Sequence, residues 1–276
     1  MYPEILDTAL KIKSREIKGI KTVARTSLEA LAKVVDDKKF MLNRDEAVMA
    51  LIKPGSPLAF NFLRTVMKAD SPAKVKKLIK FGLNYLETVR PNVVKNSLDL
   101  VAEGDTILTI AHASNVMAVL LEASKHKTFE VFVVKSMPNE KGVKTAEELK
   151  DAGIKITLIG DTAVNYFMPE VRKVIVGGVA ITKFGLIDHI GTSAVAVCAN
   201  FNRIPFYSCV EYLKVSDRLI VDERPRGEIS EVLPVRNPAY DLTRTSLITE
   251  YITDLGRVEP AKFYETARQK VEELIE

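Results

Sequence analysis

The sequence predicts an α/β protein: an N-terminal helical domain over residues 1–103, followed by a Rossmann-like parallel-sheet domain over residues 104–276. Three observations carry this. Before Gly104 the apolar residues recur at three-to-four spacing, the period of a helix buried along one side. After Gly104 short apolar runs alternate with helical stretches of about ten residues, the pattern of βαβ units. Hydrophobic residues make up 47% of the 276, enough to bury a sizeable core.

The elements follow in order. Pro3 suits a first helical turn, and Ile5, Leu6, Ala9, Leu10 and Ile12 fall on one side. A second helix covers residues 17–35, with Ile20, Val23, Ala24, Leu28, Leu31 and Ala32 facing inward. Asn43 reads as the cap of a third helix, Ser56-Pro57 opens a fourth, and Asp70-Ser71-Pro72 opens a long fifth. Pro91 is expected to kink or divide that fifth helix. The first strand is Thr106–Ile110, followed by a helix over 115–125. Phe129–Val134 precedes a helix over 145–152, and Lys155–Ile159 precedes a short helix after Asp161. Lys173–Val176 runs into a Gly-Gly turn, and a helix over 192–202 leads to a strand at Pro205–Cys209. Residues Ala261–Ile275 form a final amphipathic helix. The crossovers between parallel strands are expected to be right-handed.

Composition excludes several function classes. The net charge is +4, with no arginine stripe and no Trp, so direct nucleic-acid binding is not expected. Cys198 and Cys209 lie in apolar surroundings and read as buried free thiols of a reducing compartment. With three histidines and no C-x-x-C, no metal site is expected. No apolar run approaches the roughly 20 residues that span a membrane, and residues 1–17 lack the pattern of a signal peptide. A cytoplasmic protein is expected. There is no G-x-G-x-x-G, Walker lysine or nucleophile elbow, so no cofactor is expected.

Ligands of open parallel sheets bind beyond the carboxyl ends of the strands. That rule selects His112-Ala113-Ser114-Asn115 after the first strand and Gly177-Gly178 after the fourth. It also selects the loop Asp188-His189-Ile190-Gly191-Thr192 before the next helix. Ser114, Asn115, Gly191 and Thr192 lie at helix starts, where free amides and the helix dipole favour phosphate. Each alone is as readily an ordinary cap; their convergence suggests a pocket. His112 is either a general acid–base or a polar residue at a strand end, and Asp161 either a carboxylate of the site or a cap.

A family resemblance joins these motifs. IAHASNV, FVVKSMPNEKGVKTAEELKDAGIKITLI, VIVGGVAI, IGTSAVAVCANFNRIPFYSCVEYLK, NPAYDLT and SLITEYITDLGRVEP occur in the order of the α/β/δ regulatory subunits of translation initiation factor 2B, over most of residues 104–260. The chain resembles an archaeal, α-type member. The superfamily's enzyme branch comprises methylthioribose-1-phosphate isomerase and ribose-1,5-bisphosphate isomerase. It carries a cysteine where this chain has Ala113 and an aspartate where it has Val179. Its Asn-Lys falls on Asp188-His189, and its N-terminal Arg-Gly-Ala on Lys18-Gly19-Ile20. Aldose–ketose isomerisation needs proton-transferring groups, which alanine and valine do not supply.

The resemblance therefore implies a regulatory subunit without catalytic residues. Its pocket of His112, Ala113, Ser114, Asn115, Gly177, Gly178, Asp188, Gly191 and Thr192 is vestigial or senses a sugar phosphate or nucleotide. Implied partners are initiation factor 2 subunits or paralogous 2B-like subunits. An isomerase with rearranged groups, such as His112 or Asp188, is the alternative. A homodimer is also implied. Tyr207–Leu213 and Leu247–Leu255 fit either its surface or core filling.

Overall fold

A computed structural model describes residues 1–52, 55–218 and 222–274. Five helices come first: α1 (Pro3–Lys13), α2 (Ile20–Val34), α3 (Phe40–Leu51), α4 (Pro57–Met67) and α5 (Pro72–Lys95). The helical periodicity finds their inner faces only in part. Ile5 and Ile12 are buried in α1, but Leu6 and Leu10 are half exposed. In α2, Val23, Ala24, Leu28 and Leu31 are buried while Ala32 faces out. Asn43 is not a cap: α3 begins at Phe40, three residues earlier. Pro91 does not divide α5, which continues through it to Lys95.

The chain forms two compact units. The first comprises Met1–Val89, Leu213–Val215 and Thr266–Glu276. Its core includes Phe40, Leu51, Leu58 and Leu63, each essentially inaccessible. Buried Asn61 donates its amide to the carbonyls of Leu213 (2.8 Å) and Val215 (2.9 Å), tying that short segment to α4.

The second unit comprises Arg90–Tyr212 and Ser216–Glu265. It contains β1 (Thr106–Ile110), α6 (Ser114–Ala123), β2 (Glu130–Val134), α7 (Lys141–Asp151), β3 (Lys155–Ile159), α8 (Val164–Phe167) and β4 (Lys173–Val176). Then come β5 (Ala180–Thr182), β6 (Gly185–His189), α9 (Thr192–Phe201), β7 (Phe206–Cys209), β8 (Tyr240–Arg244), β9 (Glu250–Thr253) and β10 (Gly256–Val258). The last helix, α10 (Pro260–Glu273), begins here and ends in the first unit; the Ile275 expected within it lies outside the described residues.

A seven-stranded sheet runs in the order β10-β9-β7-β4-β1-β2-β3, parallel except for β10. This is the α/β fold that the alternating pattern predicts. Its near-continuous apolar strands, such as TILTI and EVFVV, suit a parallel sheet buried on both faces. One face carries Ile107, Val131, Val133 and Ile175 against Val116, Leu120 and Leu149 of α6 and α7.

A second sheet, β5-β6-β8, is antiparallel and is missing from the sequence reading. Its β5 has three residues, and β6 starts at a glycine and ends on Asp-His, so neither shows an alternating run. The segments Tyr207–Leu213 and Leu247–Leu255 are chiefly core. Cys209, Val210, Leu213, Tyr251 and Ile252 are at most 1% exposed, so they are not available as a dimer surface.

Candidate functional site

The site forms where β1, β4 and β6 end. The turn after β1 is strained: Ala111 has φ +61° and Ser136, in the turn after β2, has φ +66°. Side chains hold the turns there. Ser136 Oγ accepts the Ala111 amide at 2.7 Å, and Thr145 Oγ1 donates to the Ala111 carbonyl at 2.8 Å. The start of α7 is clamped as close: a Cβ on Gly142 would lie 1.8 Å from the Val134 carbonyl oxygen. The backbones of two turns and a helix start therefore meet with little slack.

Helix α6 starts at Ser114 with Ala113 as its N-cap, and no side chain caps it. Neither Ser114 nor Asn115 plays the cap role. Ser114 is exposed, and Asn115 is buried with its amide directed at the Cys209 carbonyl, 3.4 Å away. The Asn115 Oδ1 acceptor is buried with no hydrogen-bond partner. Ala113 is half-buried and abuts Gly177: a Cβ on that glycine would stand 2.5 Å from the Ala113 methyl carbon and 3.9 Å from Asp188 Oδ2. The structure thus brings Ala113, Gly177 and Asp188 together. Gly178 lies under Leu186 and Val210 and belongs to the core beneath.

Helix α9 differs. Gly191 is its N-cap at φ +97°, and the Asp241 carboxylate from β8 fills its start. Asp241 accepts the Gly191 amide at 2.8 Å and the Ser193 amide at 3.1 Å. The expectation that Gly191 offers a free amide to phosphate is therefore corrected: the protein's own anion, Asp241, takes it and the Ser193 amide. Thr192 is fully buried, and its hydroxyl has no partner. Burial pushes Asp241 up to about 6, against the lowering effect of the two amides. Asp188 and Asp241 are opposite each other in the β6–β8 ladder, so both carboxylates leave the same face of that sheet.

Two cations escaped the sequence reading. Lys141, at the head of α7, lies 3.3 Å from His189 Nε2. Burial, then the Arg224 charge, lowers its ammonium below the ordinary range, while Asp188 and Glu228 oppose the shift. Arg224 is held in a two-pronged pair by Glu228, both contacts at 2.6 Å. With the Asn139 amide turned to donate to the Ser136 carbonyl, its oxygen accepts from Arg224 at 3.2 Å. Neither cation carries a local motif. Lys141 sits in an ordinary charged helix start, and Arg224 is 83 residues downstream of it. Only the fold joins them.

His112 points to α7, where Nε2 is 3.1 Å from Glu148 Oε2 on an exposed surface. That contact, ahead of the opposing effect of burial, holds Glu148 below the usual carboxylate range. Asp161 accepts the Met137 amide at 3.1 Å and fastens the loop after β2. Cys209 is buried, and burial pushes its thiol up to about 12; Cys198 is half-buried rather than buried. Among the described residues no cluster of three His, Cys, Asp or Glu side chains is arranged to hold a metal, and no helix is long and apolar enough to cross a membrane. A separate groove of about 500 Å³ lies in the helical unit between α2 and α5. On its rim Arg25 pairs with Glu87 and Lys76 with Asp36.

At the strand ends, then, are an uncapped helix start, two buried polar atoms lacking partners, and a lysine beside a histidine. That combination suits an anionic ligand bearing hydroxyl groups. The chain is 32% identical to the ribose 1,5-bisphosphate isomerase of Archaeoglobus fulgidus, across 95% of this chain and 91% of that one. It is 27% identical to a putative translation initiation factor eIF-2B subunit 2-like protein of Pyrococcus horikoshii, across 95% and 99%. The crystal structure of the Pyrococcus horikoshii translation initiation factor eIF-2B superposes with a TM-score of 0.83 at 25% identity, covering 95% of this chain and 99% of that chain. Residues 15–260 match the pattern of the Initiation factor 2 subunit family, and the chain belongs to that family.

Proposed function

We infer that this chain is a non-catalytic, regulatory-type subunit that binds initiation factor 2 or paralogous 2B-like subunits, and that its pocket senses a phosphorylated sugar or nucleotide. The observation that carries this is the head of α6. An uncapped helix start is available for a phosphate, yet the adjoining residue is Ala113, whose methyl group has no proton to exchange. The position aligned with the enzyme branch's aspartate is Val179, 4% exposed and equally inert. Asn115 Oδ1 and the Thr192 hydroxyl supply hydrogen-bonding capacity suited to ligand hydroxyls. Lys141 supplies positive charge for a phosphate, with the His189 ring beside it. Binding is thus provided for and proton transfer at the cysteine and aspartate positions is not.

Calorimetry with ribose 1,5-bisphosphate and adenosine monophosphate tests the pocket, and pull-down of initiation factor 2 subunits tests the partner. Heat without turnover, together with association, supports the reading. Neither heat nor association sinks it.

A second reading rests on Asp188. This buried carboxylate lies beside the Ala113–Gly177 contact, and the 32% identity is to an isomerase. A rearranged isomerase would use Asp188 or His112 as its base. Turnover of ribose 1,5-bisphosphate that is lost in Asp188→Asn or His112→Ala would establish it over the first reading.

A further inference from the structure

We propose that Lys141 captures carbonyl ligands covalently: its Nζ condenses with the free aldehyde or ketone of a phosphorylated sugar in the pocket and gives a reversible imine. Capture of this kind rests on the ligand reading above and narrows it to sugar phosphates with an open-chain carbonyl. The backbone fixes where this lysine stands. It is the first residue of α7, and the next residue, Gly142, packs on the Val134 carbonyl at the end of β2 with no room for a side chain. One turn on, Thr145 ties α7 to the Ala111 carbonyl, in the turn that leads to Ala113. Lys141 Nζ stands 3.3 Å from Nε2 of His189, the residue after Asp188. Asp188 is the buried carboxylate beside the Ala113–Gly177 contact. The lysine itself is only partly buried, so a solute can reach its amine.

An amine attacks a carbonyl only when it is unprotonated, and three features disfavour the ammonium here. Burial comes first and the Arg224 charge second, both lowering Lys141 below the ordinary range. The third is its place in the first turn of α7, where the positive end of the helix dipole opposes a cation. A desolvated lysine beside another cation is the setting in which lysines act as carbonyl nucleophiles. Asp188 and Glu228 pull the other way. They serve the later stage, because the protonated imine is a cation and nearby carboxylates stabilise it. That cation also stands where the lysine charge stood, so a phosphate still meets positive charge after capture.

The step balances without a co-reactant. The nitrogen lone pair forms a bond to the carbonyl carbon, and the C=O π pair moves to oxygen. A proton then passes from nitrogen to that oxygen, giving a carbinolamine. The second amine proton follows as the C–O bond breaks and the C=N bond closes. Both protons thus leave with the oxygen as water, and no electron is gained or lost. The His189 ring, within reach of Nζ, carries each proton in turn. Ala113 and Val179 take no part, so their inertness does not oppose this chemistry.

The test is reductive trapping. The full chain is incubated with ribose 5-phosphate and cyanoborohydride, weighed by mass spectrometry and mapped by peptide digestion. A single adduct at Lys141 is expected, ahead of Lys144, whose side chain is 65% exposed and which simple accessibility would favour. Ribose 1,5-bisphosphate has its C1 blocked by phosphate, so it should bind with heat and give no adduct. Lys141→Arg should abolish the adduct while keeping heat with the bisphosphate, and His189→Asn should slow trapping about 100-fold. An unlabelled Lys141, or labelling of Lys144 at least as fast, overturns the proposal, and this mapping uses the parent chain, so it does not depend on a variant folding. If the bisphosphate gives heat and Lys141 stays unlabelled, the pocket reading stands and capture alone falls. If the bisphosphate gives no heat, the pocket reading falls, and labelling of Lys141 decides capture by itself.

Discussion

Helices α6 and α9 begin at the same edge of one sheet unit and solve the same problem in opposite ways. Each start presents amides that lack intrahelical partners. At α9 the chain supplies its own anion, Asp241, to the Gly191 and Ser193 amides. At α6 no side chain does so, and the cap residue is Ala113. The contrast teaches that a helix start is not a ligand site by virtue of its dipole. What matters is whether the protein has already filled it. By that criterion the open start is that of α6, and the start of α9 is already filled.

The comparison can be broken most severely by making α6 resemble α9. Ala113→Asp would place a carboxylate at the empty cap and is expected to weaken phosphate-ligand binding about 100-fold, or ~2.7 kcal/mol. Unchanged calorimetric affinity would mean that the ligand does not use this helix start.

The next effect is the pH dependence of the filled start. Asp241 is pushed up to about 6 from 3.8 in the folded chain. Between those values the folded state holds a proton that the unfolded state has released. This carboxyl therefore contributes stability below about pH 4 that is lost as pH rises through 6. Its size is of order 1–3 kcal/mol. Urea melts of the parent and Asp241→Asn at pH 4 and 7.5 should show the parent's relative advantage shrinking toward the higher pH. A constant difference would show that burial does not perturb this group.

Lys141→Gln removes the cation beside His189 without touching either helix start. It is expected to cost about tenfold in phosphate-ligand affinity, ~1.4 kcal/mol. Full affinity in that variant would confine recognition to α6 itself. The smallest effect should come from Glu148→Gln. That surface partner of His112 should change stability by less than about 0.5 kcal/mol in a thermal melt. A larger loss would give His112 a structural role that its exposed pairing does not suggest.

Much of this was legible in the sequence. The strands β1 and β4 fall where TILTI and KVIV stand, because parallel strands buried on both faces are short uninterrupted apolar runs. The turn at His112–Asn115 was legible for the same reason, since it closes the first such run. Three features were not. In the small sheet β5-β6-β8, β8 pairs with a strand more than 50 residues upstream, and β5 and β6 have no alternating stretch. Asp241 lies in a segment with no helical or catalytic pattern, so its role as the cap of a distant helix has no local sign. Leu6 and Leu10 match the period of a buried helix face and yet stand half exposed, because periodicity says which residues share a side, not how much of that side is covered.

The distance between α9 and its cap has a consequence during synthesis. Gly191 and Asp241 are 50 residues apart, so the first turn of α9 leaves the ribosome well before the carboxylate that completes it. At about 5–20 residues per second the interval is roughly 3–10 s. For that time the nascent chain has β1 to β4 but lacks β8, β9 and the cap, and its unfilled helix starts are two rather than one. Vectorial folding of the sheet unit can therefore finish only with its last quarter, and a chain truncated before residue 241 should be a client for chaperones rather than a smaller version of the same domain.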